Sequence, residues 1–275
     1  MSGSYHLGID SSHLRGNSGL GRYVFLPGDR GRAARIADRF EVTDRVLSSR
    51  GHDSHLGVLR SADGSRSVDV LSVSSGMGPS SVEIVLHELL QAGARRIVRV
   101  GSSGSLDEGV VPGSVVVATS SVRDESTSDR WTPREFPAVA HRHAVAAMCR
   151  GAEDAELASH TFAGIVHSKD SFYAREFGMG PMTQENERYI RVLRDSGVLA
   201  SEMEASILFV LASVAGAGKA ESIAAGSRAA TVQTGCVLAV YGEQGSKETK
   251  IAEQRAISVA CAGVLAWSAM DETKA

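Results

Sequence analysis

Cysteine is scarce in this chain of 275 residues, which carries three of them, Cys149, Cys236 and Cys261. They are too few and too scattered for the disulfide framework of a small secreted domain. None of them has the spacing to other Cys or His residues that metal ligands show. We therefore expect no disulfide framework and no metal site, and this cysteine usage is typical of a reducing cytosol.

An excess of charge and a long apolar segment are also missing. The 29 Lys and Arg residues nearly balance 32 Asp and Glu residues, for a net charge of -3, which argues against a nucleic-acid or anionic-membrane surface. The first fifteen residues include His6 and no apolar run, so we expect neither a signal peptide nor a membrane span. Because linkers, repeats and low-complexity segments are absent too, we expect one domain over 1–275 in a soluble, cytoplasmic protein. Tyr5–Ile9 is expected to be a surface tail.

Predicted strands and helices alternate along the chain. Val68–Ser74 predicts a strand, and Ser80-Ser81-Val82-Glu83 has the form of a capping box that starts a helix running to Gly93. With the next strand at Ile97 these elements form a parallel crossover unit, which indicates an α/β fold. Further strands are predicted at 23–26, 46–49, 114–119, 162–167 and 234–241, further helices at 30–40, 138–152, 185–195, 207–211 and 247–270, and a long polar loop at 123–134.

The stretch Ile97–Gly104 is the first candidate for a ligand site. Its apolar run ends in Gly101-Ser102-Ser103-Gly104, which indicates a buried strand opening into a loop whose backbone N–H groups and hydroxyls suit an anion. Ligands bind at this edge of parallel sheets. Arg99 lies within the apolar run, where a guanidinium is costly unless a carboxylate or phosphate meets it. Taken alone, the pattern fits an arginine paired with a core carboxylate equally well.

The turn Pro27-Gly28-Asp29 is a second candidate for binding an anion. It directs backbone N–H groups and the start of the following helix beyond the end of a strand, and Arg30 and Arg32 place positive charge nearby. One of these two arginines is expected to be only a solvated surface charge.

Two acidic residues, Glu202 and Glu204, precede a buried apolar helix. A helix start favours a carboxylate electrostatically, which accounts for one of the two. Phe172 offers an aromatic platform at the end of another predicted strand. Together with the anion loop, these features provide adjoining sites for a phosphate, a sugar diol and a base, which phosphorolysis of a nucleoside requires.

Six motifs occur in order along nearly the whole chain. They are Tyr5-His6-Leu7-Gly8, Leu26-Pro27-Gly28-Asp29, Ser75-Gly76-Met77-Gly78, Arg99-Val100-Gly101-Ser102-Ser103-Gly104, Asp170-Ser171-Phe172-Tyr173 and Ser201-Glu202-Met203-Glu204. As a set they resemble the nucleoside phosphorylase family of uridine phosphorylases and hexameric bacterial purine nucleoside phosphorylases, and the uridine enzymes most closely. The resemblance implies a single three-layer α/β/α domain with a central mixed, partly barrel-like sheet, assembled as dimers or as hexamers built of dimers.

The resemblance also implies roles for individual residues. The implied phosphate ligands are Gly28, Arg32, Arg99 and Ser102, with Arg50 supplied by a neighbouring subunit. The implied ribose ligands are Met203, Glu204, which holds the 2′ and 3′ hydroxyls, and His6, which reaches the 5′ hydroxyl from the neighbour. The implied base site contains Ser103, Gly104, Phe172, Arg175 and Glu202. Arg32, Arg99 and Glu204 carry the catalytic roles, inorganic phosphate is the co-substrate, and no cofactor is implied.

The sequence departs from the family pattern at the base site. Uridine phosphorylases usually follow the Phe-Tyr pair with a Gly-Gln segment, whereas this chain has Phe172-Tyr173-Ala174-Arg175-Glu176-Phe177. Arg175 therefore either donates to a pyrimidine leaving group or pairs with a glutamate at the surface. The catalytic Asp of the purine enzymes is missing from Leu238–Gly242, which favours pyrimidines. Gly51 stands where hexameric uridine phosphorylases place an acidic ligand for a monovalent cation, so we expect no such ion.

The function expected from all of this is conversion of uridine and phosphate to uracil and ribose 1-phosphate. The alternatives are a purine nucleoside phosphorylase or a nucleoside hydrolase of the same family, and a non-catalytic nucleoside-binding homologue. A dinucleotide-binding oxidoreductase is disfavoured because neither Gly-rich turn has the required spacing to a later acidic residue. The base preference, the choice between dimer and hexamer, and whether the 123–134 loop closes over the substrate are left open.

Overall fold

The described chain consists of one ten-stranded sheet with helices on both faces. The structure, a computed structural model, describes residues 4–216 and 231–272. The strands are β1 (Tyr23–Pro27), β2 (Glu41–Val46), β3 (Ser54–Arg60), β4 (Ser67–Val73), β5 (Arg96–Ser105), β6 (Val115–Asp124), β7 (Ala138–Val139), β8 (Thr161–Lys169), β9 (Ala200–Glu202) and β10 (Gln233–Val240). The helices are α1 (Arg30–Ala37), α2 (Pro79–Ala92), α3 (Arg142–Asp154), α4 (Phe172–Phe177), α5 (Thr183–Asp195), α6 (Ala205–Ala215) and α7 (Lys247–Glu272).

Five of the strands close into a barrel. The sheet order is β10-β6-β8-β9-β5-β1-β4-β3-β2, and β10 also pairs with β5, which joins the two ends of the five-stranded part. The pairs β1–β5, β10–β5, β6–β8 and β8–β9 are parallel, whereas β10–β6 and β5–β9 are antiparallel. The predicted mixed, partly barrel-like sheet of an α/β protein is therefore confirmed.

Strand β5 shows why helices cover both faces of the sheet. Its apolar side chains alternate between two cores, because successive residues of a strand point to opposite faces. Ile97 packs into the core under α2 and α6, while Val98 and Val100 pack into the core under α3 and α7. This arrangement gives the predicted α/β/α layers, and a single domain over 1–275 stays a prediction. None of the helices in the described ranges combines the length and apolarity that a membrane crossing requires.

The end of β5 corrects one prediction. Gly101–Gly104 was expected to be a loop, but β5 continues through it to Ser105. Long-range pairing explains the difference, because Gly101, Ser102 and Ser103 are in register with β10 and Gly104 is in register with Ser201 of β9. The glycines and serines are thus part of the barrel wall.

Three other local predictions were wrong at helix and strand ends. The predicted strand 46–49 lies almost wholly after β2, and the predicted helix 138–152 begins with β7, so that α3 starts at Arg142. The capping box at Ser80 is not formed, because α2 begins at Pro79 after Gly78, whose φ of 85° and missing side chain leave the helix without a side-chain cap.

The N-terminal segment is not a surface tail. Leu7 and Ile9 are fully buried, and the backbone N–H groups of His6 and Leu7 donate to the Glu88 carboxylate of α2 at 2.9–3.1 Å. Glu88 therefore fixes the position of this segment against α2.

Candidate active site

Arg99 lies at the centre of the candidate site. It is 3% exposed on β5, its Nε donates to Glu202 Oε2 at 3.2 Å, and one terminal nitrogen is paired with Glu204 Oε2. Burial alone lowers the pKa of Arg99, but the carboxylates of Glu204 and Glu202 outweigh it and raise the pKa above its ordinary value. The guanidinium therefore stays charged, and its other terminal nitrogen, NH1, has no hydrogen-bond partner in the described structure.

Two glycines border this guanidinium, and one of them, Gly101, leaves the space that it occupies. A Cβ atom at Gly101 would lie 3.0 Å from Arg99 NH2 and 3.1 Å from Nε, so the side chain lies flat across a backbone that has no Cβ. A Cβ atom at Gly28 would lie 4.0 Å from Arg99 NH1. The unpartnered nitrogen thus faces the turn that follows β1, as expected for an anion held between Gly28 and Arg99.

The two acidic residues have different local roles. Glu202 accepts from the backbone N–H groups of Glu204 at 2.8 Å and Ala205 at 2.9 Å and from the hydroxyl of Ser168. It therefore satisfies the start of α6, which confirms that the helix start accounts for one acid. The Glu202 carboxylate thus holds Arg99 and the start of α6, and its role as a base ligand stays a prediction.

Glu204 joins two segments that are distant in sequence. Its Oε1 accepts from the backbone N–H of Gly78 at 2.6 Å, and its Oε2 is paired with Arg99. Burial raises the pKa of Glu204 above its ordinary value, against the opposing effect of the positive charge of Arg99. The predicted ribose ligand is thus in direct contact with the predicted phosphate ligand.

Arg32 reaches β5 from α1. Its NH1 donates to the carbonyl of Val100 at 3.1 Å, its NH2 donates to the Tyr241 hydroxyl at 2.6 Å, and its Nε is buried without a partner. Because Val100 follows Arg99, the two predicted phosphate ligands meet the same short stretch of β5. Arg30 is exposed and packs over Gly51, in line with the expected surface charge.

The start of α1 corrects part of the prediction for the second anion turn. Asp29 accepts from the backbone N–H groups of Gly31 at 2.7 Å and Arg32 at 2.9 Å. These two N–H groups are therefore not offered to a ligand, because the capping carboxylate already occupies the position of an anion.

The remaining residues expected around Arg99 lie on β5 and β9–α6. Ser103 is buried and its hydroxyl has no hydrogen-bond partner, while Ser102 is partly exposed. Met203, between the two acids, is also partly exposed. Ser103 thus adds a second open donor on the strand that carries Arg99.

His6 and Arg50 lie together, although 44 positions separate them in the numbering. The Ser48 hydroxyl donates to the carbonyl of His6 at 2.6 Å and accepts from the backbone N–H of Arg50 at 3.1 Å. The His6 ring also contacts Glu88 Oε1 at 2.7 Å through Nδ1, and Arg50 is exposed. Within the described ranges, neither residue hydrogen-bonds to Arg99, Glu202 or Glu204.

The aromatic part of the candidate base site is partly exposed. Phe172 is 45% exposed and forms edge-to-face pairs with Tyr173 and Phe177 at centroid distances of 5.4 and 5.3 Å. Gly104 faces Glu176, because a Cβ atom at Gly104 would lie 2.5 Å from Glu176 Oε1. Phe172 begins α4, and Gly104 of β5 therefore lies against the same helix.

Arg175 pairs with an aspartate instead of the expected glutamate, and its alternative role as a donor to the base stays a prediction. Its Nε lies 2.7 Å from Asp124 Oδ2, its NH2 donates to Asp124 Oδ1 at 3.0 Å, and its NH1 donates to Asn186 at 2.7 Å. The guanidinium also stacks over Tyr189, 4.3 Å from the ring centroid. The partner is an aspartate from β6 rather than a glutamate, which local sequence could not indicate.

Sequence reasoning missed Lys169. This lysine is 1% exposed at the end of β8, and its Nζ lies 2.7 Å from Glu176 Oε2 and 2.8 Å from Ser201 Oγ. The only signal in the sequence was a lysine directly before Asp170-Ser171-Phe172, and the predicted strand ended two residues too early, at His167.

The predicted loop 123–134 begins two residues later than expected, because Arg123 and Asp124 form the end of β6, and the buried side chain of Arg123 anchors the loop. Arg123 is 8% exposed and donates through NH1 to the carbonyls of Pro133, Arg134 and Phe136 at 2.6–3.1 Å.

The described residues contain no group of three or more His, Cys, Asp or Glu side chains positioned to hold a metal ion.

Comparisons with known proteins show the family of this chain. The sequence profile of the Phosphorylase superfamily matches residues 22–231. A uridine phosphorylase of Treponema pallidum is 34% identical over 245 residues, which cover 87% of this chain and 82% of that protein. A guanosine phosphorylase of Halorubrum lacusprofundi is 33% identical over 69% of this chain and 71% of that protein. A solved structure of a uridine phosphorylase from Vibrio fischeri ES114 has the same fold, with a TM-score of 0.73, 22% identity, and coverage of 99% of this chain and 98% of that one.

Proposed function

Because the chain belongs to the phosphorylase superfamily, we propose that it cleaves the N-glycosidic bond of uridine with inorganic phosphate, giving uracil and ribose 1-phosphate. The observation that carries this proposal is the state of Arg99. A buried guanidinium is fixed by Glu202 and Glu204, while its third nitrogen is unpartnered and faces the Gly28 turn. Such a donor is suited to an incoming phosphate oxygen.

Phosphate is bound by Gly28, Arg32, Arg99 and Ser102, with Arg50 of a second copy completing the site. Cleavage of the C1′–N bond develops positive charge on the sugar and negative charge on the base. The bound phosphate stabilises the cationic sugar and attacks C1′, so the enzyme needs no covalent nucleophile of its own. By fixing the phosphate, the arginines convert a bimolecular encounter into an oriented attack.

The ribose is held beside the phosphate by Met203 and Glu204, and His6 of a second copy reaches the 5′ hydroxyl. Glu204 accepts hydrogen bonds from the 2′ and 3′ hydroxyls through its carboxylate. Its contact with Arg99 supports this placement, since phosphate and ribose must lie next to each other for C1′ to react. The base lies against Phe172, Gly104 and Ser103. The enzyme uses no cofactor and acts in the cytoplasm in pyrimidine salvage.

The active unit is a homodimer, or a hexamer built of dimers, in which each copy completes the site of its neighbour. The link from His6 through Ser48 to Arg50 supports this proposal, because it places both residues on one surface region of the chain. Mixing experiments test it. Subunits with Arg50→Ala and subunits with Arg99→Met are each expected to be inactive, and joint refolding should restore activity through hybrid sites. If mixed oligomers form but stay inactive, the proposal that each copy completes the site of its neighbour is wrong.

The reaction is tested by release of free base from uridine, thymidine, inosine and adenosine, with and without phosphate. We expect uridine to be the best substrate and ribose 1-phosphate to form only with phosphate. Base release that does not depend on phosphate would indicate the hydrolase alternative. A rate with inosine or adenosine about tenfold above that with uridine would contradict the pyrimidine assignment, since a factor of ten corresponds to about 1.4 kcal/mol of transition-state binding.

A further inference from the structure

The guanidinium of Arg32 is held in a different way from that of Arg99. Arg99 contacts two carboxylates directly. Arg32 is 5% exposed and donates instead to two neutral oxygens, the carbonyl of Val100 at 3.1 Å and the Tyr241 hydroxyl at 2.6 Å. Its ion pair with Glu253 Oε2 is longer, at 3.6 Å. Within the described ranges, Arg32 is therefore oriented without a carboxylate in hydrogen-bond contact.

The proton directions at the Tyr241 hydroxyl follow from its two neighbours. A guanidinium only donates, so the hydroxyl oxygen accepts from Arg32. The hydroxyl proton is then donated to Glu253 Oε2 of α7, 2.9 Å away. Burial raises the pKa of Tyr241 above its ordinary value, so the hydroxyl keeps this proton. Tyr241 thus joins Arg32 to the carboxylate of Glu253 while it stays neutral itself.

Glu253 is fixed in turn by the start of α1. Its Oε1 is paired with Arg35 Nε, and Arg35 NH2 lies 3.5 Å from Asp29 Oδ2. Asp29 accepts from the backbone N–H of Arg32 at 2.9 Å. The contacts therefore close on themselves, because they lead from the Arg32 side chain through Tyr241, Glu253, Arg35 and Asp29 back to the Arg32 backbone.

Tyr241 also contacts the strand that carries the proposed phosphate ligands. Its backbone N–H donates to the carbonyl of Ser103 on β5 at 2.9 Å, and Arg32 NH1 bonds to Val100 of the same strand. Both terminal nitrogens of Arg32 are thus held in fixed directions, whereas its Nε is buried with no hydrogen-bond partner in the described structure. Because a buried donor without a partner is unfavourable, this N–H group is suited to an anion.

We infer that Tyr241 and Glu253 are positioning residues for phosphate, which hold Arg32 with its Nε open and its charge available. This inference rests on the proposed function for the role of Arg32 as a phosphate ligand. A hydroxyl suits the task because it accepts from the guanidinium and carries no charge, whereas a carboxylate in direct contact would weaken the attraction of the arginine for phosphate. A guanidinium that is fixed beforehand also loses less conformational freedom when phosphate binds.

Tyr241→Phe tests the inference, because it removes the hydroxyl and keeps the aromatic ring. We expect the Kd of inorganic phosphate, measured by calorimetry without a nucleoside, and the KM for phosphate to rise about tenfold, while the KM for uridine stays within about twofold. Tyr23→Phe is the matched control. It removes a buried hydroxyl that donates to Asp271 Oδ2 at 2.6 Å, and it should lower the thermal midpoint but leave the phosphate Kd unchanged.

Two substitutions of Glu253 separate its hydrogen bond from its charge. Glu253→Gln keeps an oxygen that accepts from the Tyr241 hydroxyl, so phosphate affinity should stay within about threefold of the wild type. Glu253→Ala removes the acceptor, and the affinity should fall about tenfold. Because Glu253 acts through Tyr241, the double variant Tyr241→Phe/Glu253→Ala should lose less affinity than the product of the two single losses.

Phosphate binding separates this inference from the proposed reaction. If the wild type releases uracil from uridine and phosphate, but folded Tyr241→Phe and Glu253→Ala proteins keep its phosphate Kd within about twofold, the inference is overturned and the reaction stands. If phosphate affinity falls as expected but the wild type releases no base, the reaction is wrong and the positioning role stands. If Tyr241→Phe does not fold, the two Glu253 variants decide, and equal phosphate affinities in them would overturn the inference.

Discussion

Two buried arginines lie three residues apart on β5 and differ in how completely they are paired. Arg96 is fully buried; its Nε donates to Asp271 Oδ2 at 2.9 Å and its NH1 donates to the carbonyl of Thr231 at 2.9 Å, while the Tyr23 hydroxyl donates to the same Asp271 oxygen at 2.6 Å. Arg99 is also paired with carboxylates, but its NH1 has no partner. A buried charge with complete pairing has no donor left for a ligand and its pairing is costly to break, whereas a buried charge with an open donor can bind a ligand.

The largest effect that separates the two arginines is expected from Arg99→Met. Without the guanidinium the phosphate loses its central ligand, and kcat/KM for uridine should fall by about 1,000-fold or more, as for other groups that stabilise transition-state charge. The substitution also leaves the buried carboxylates of Glu202 and Glu204 without their counter-ion, so the thermal midpoint should fall for this variant as well as for Arg96→Met, and kcat/KM is the quantity that separates the two. Steady-state kinetics and thermal unfolding of both variants measure the difference.

Arg96→Met should lower the stability of the protein without lowering its activity. Removing one partner of a buried ion pair leaves Asp271 without its counter-ion, and we expect the free energy of unfolding to fall by about 3–5 kcal/mol. At a temperature where the variant is folded, kcat/KM should stay close to that of the wild type. Urea denaturation followed by fluorescence, with activity measured on the same samples, tests this. A variant with full stability and lost activity would show that Arg96 belongs to the site.

Gly101→Ala disturbs Arg99 without removing it. The new Cβ atom would lie 3.0 Å from Arg99 NH2 and 2.8 Å from Leu238 Cδ2, so the guanidinium has to move. A displacement of about 1 Å in an active site costs up to about 100-fold in rate, and we expect kcat/KM to fall by about 10- to 100-fold. Gly109→Ala is the matched control: this glycine is exposed, its φ is not positive, and its new Cβ atom would meet only the end of the Asp107 side chain, at 3.1 Å from Oδ1. Equal activity of the two variants would contradict the close contact inferred for Gly101.

The same comparison explains which parts of the site could be predicted from the sequence. An arginine in an apolar run and two acids before an apolar helix are local signals, and both led to residues that the structure brings together. The position of an arginine next to or within an apolar run did not distinguish Arg99 from Arg96. The carboxylate partners of both arginines come from elements more than a hundred positions away in the sequence. Pairing with such distant partners is a property of the barrel, which local periodicity does not describe.

Features that depend on barrel closure were beyond local reasoning for the same reason. Gly101–Gly104 has the composition of a loop, yet pairing with β10 and β9 makes it strand. The predicted strand ended before Lys169, so a buried lysine was not expected there from the sequence. In the structure β8 extends to Lys169, and its ammonium group donates to the Ser201 hydroxyl of β9. The order of strands and helices along the chain could be predicted, because the apolar spacing within each segment indicates whether that segment is a strand or a helix.

The smallest effect is expected from loss of the charge of Glu88, a buried carboxylate that accepts hydrogen bonds from backbone N–H groups and not from an arginine. Burial would raise the pKa of Glu88, but hydrogen bonds from the backbone N–H groups of His6 and Leu7 outweigh it and lower the pKa below its ordinary 4.5. A carboxylate whose pKa is lowered by folding contributes stability above its unfolded pKa and loses it as the pH falls through the folded value. The N-terminal segment should therefore loosen below about pH 4.5 before the core unfolds.

Hydrogen exchange at Leu7 and Ile9 measures this loosening of the N-terminal segment, and Glu88→Gln should show faster exchange already at neutral pH. Exchange that stays slow in both proteins until global acid unfolding would mean that apolar burial of Leu7 and Ile9, and not the charge of Glu88, holds His6 in position.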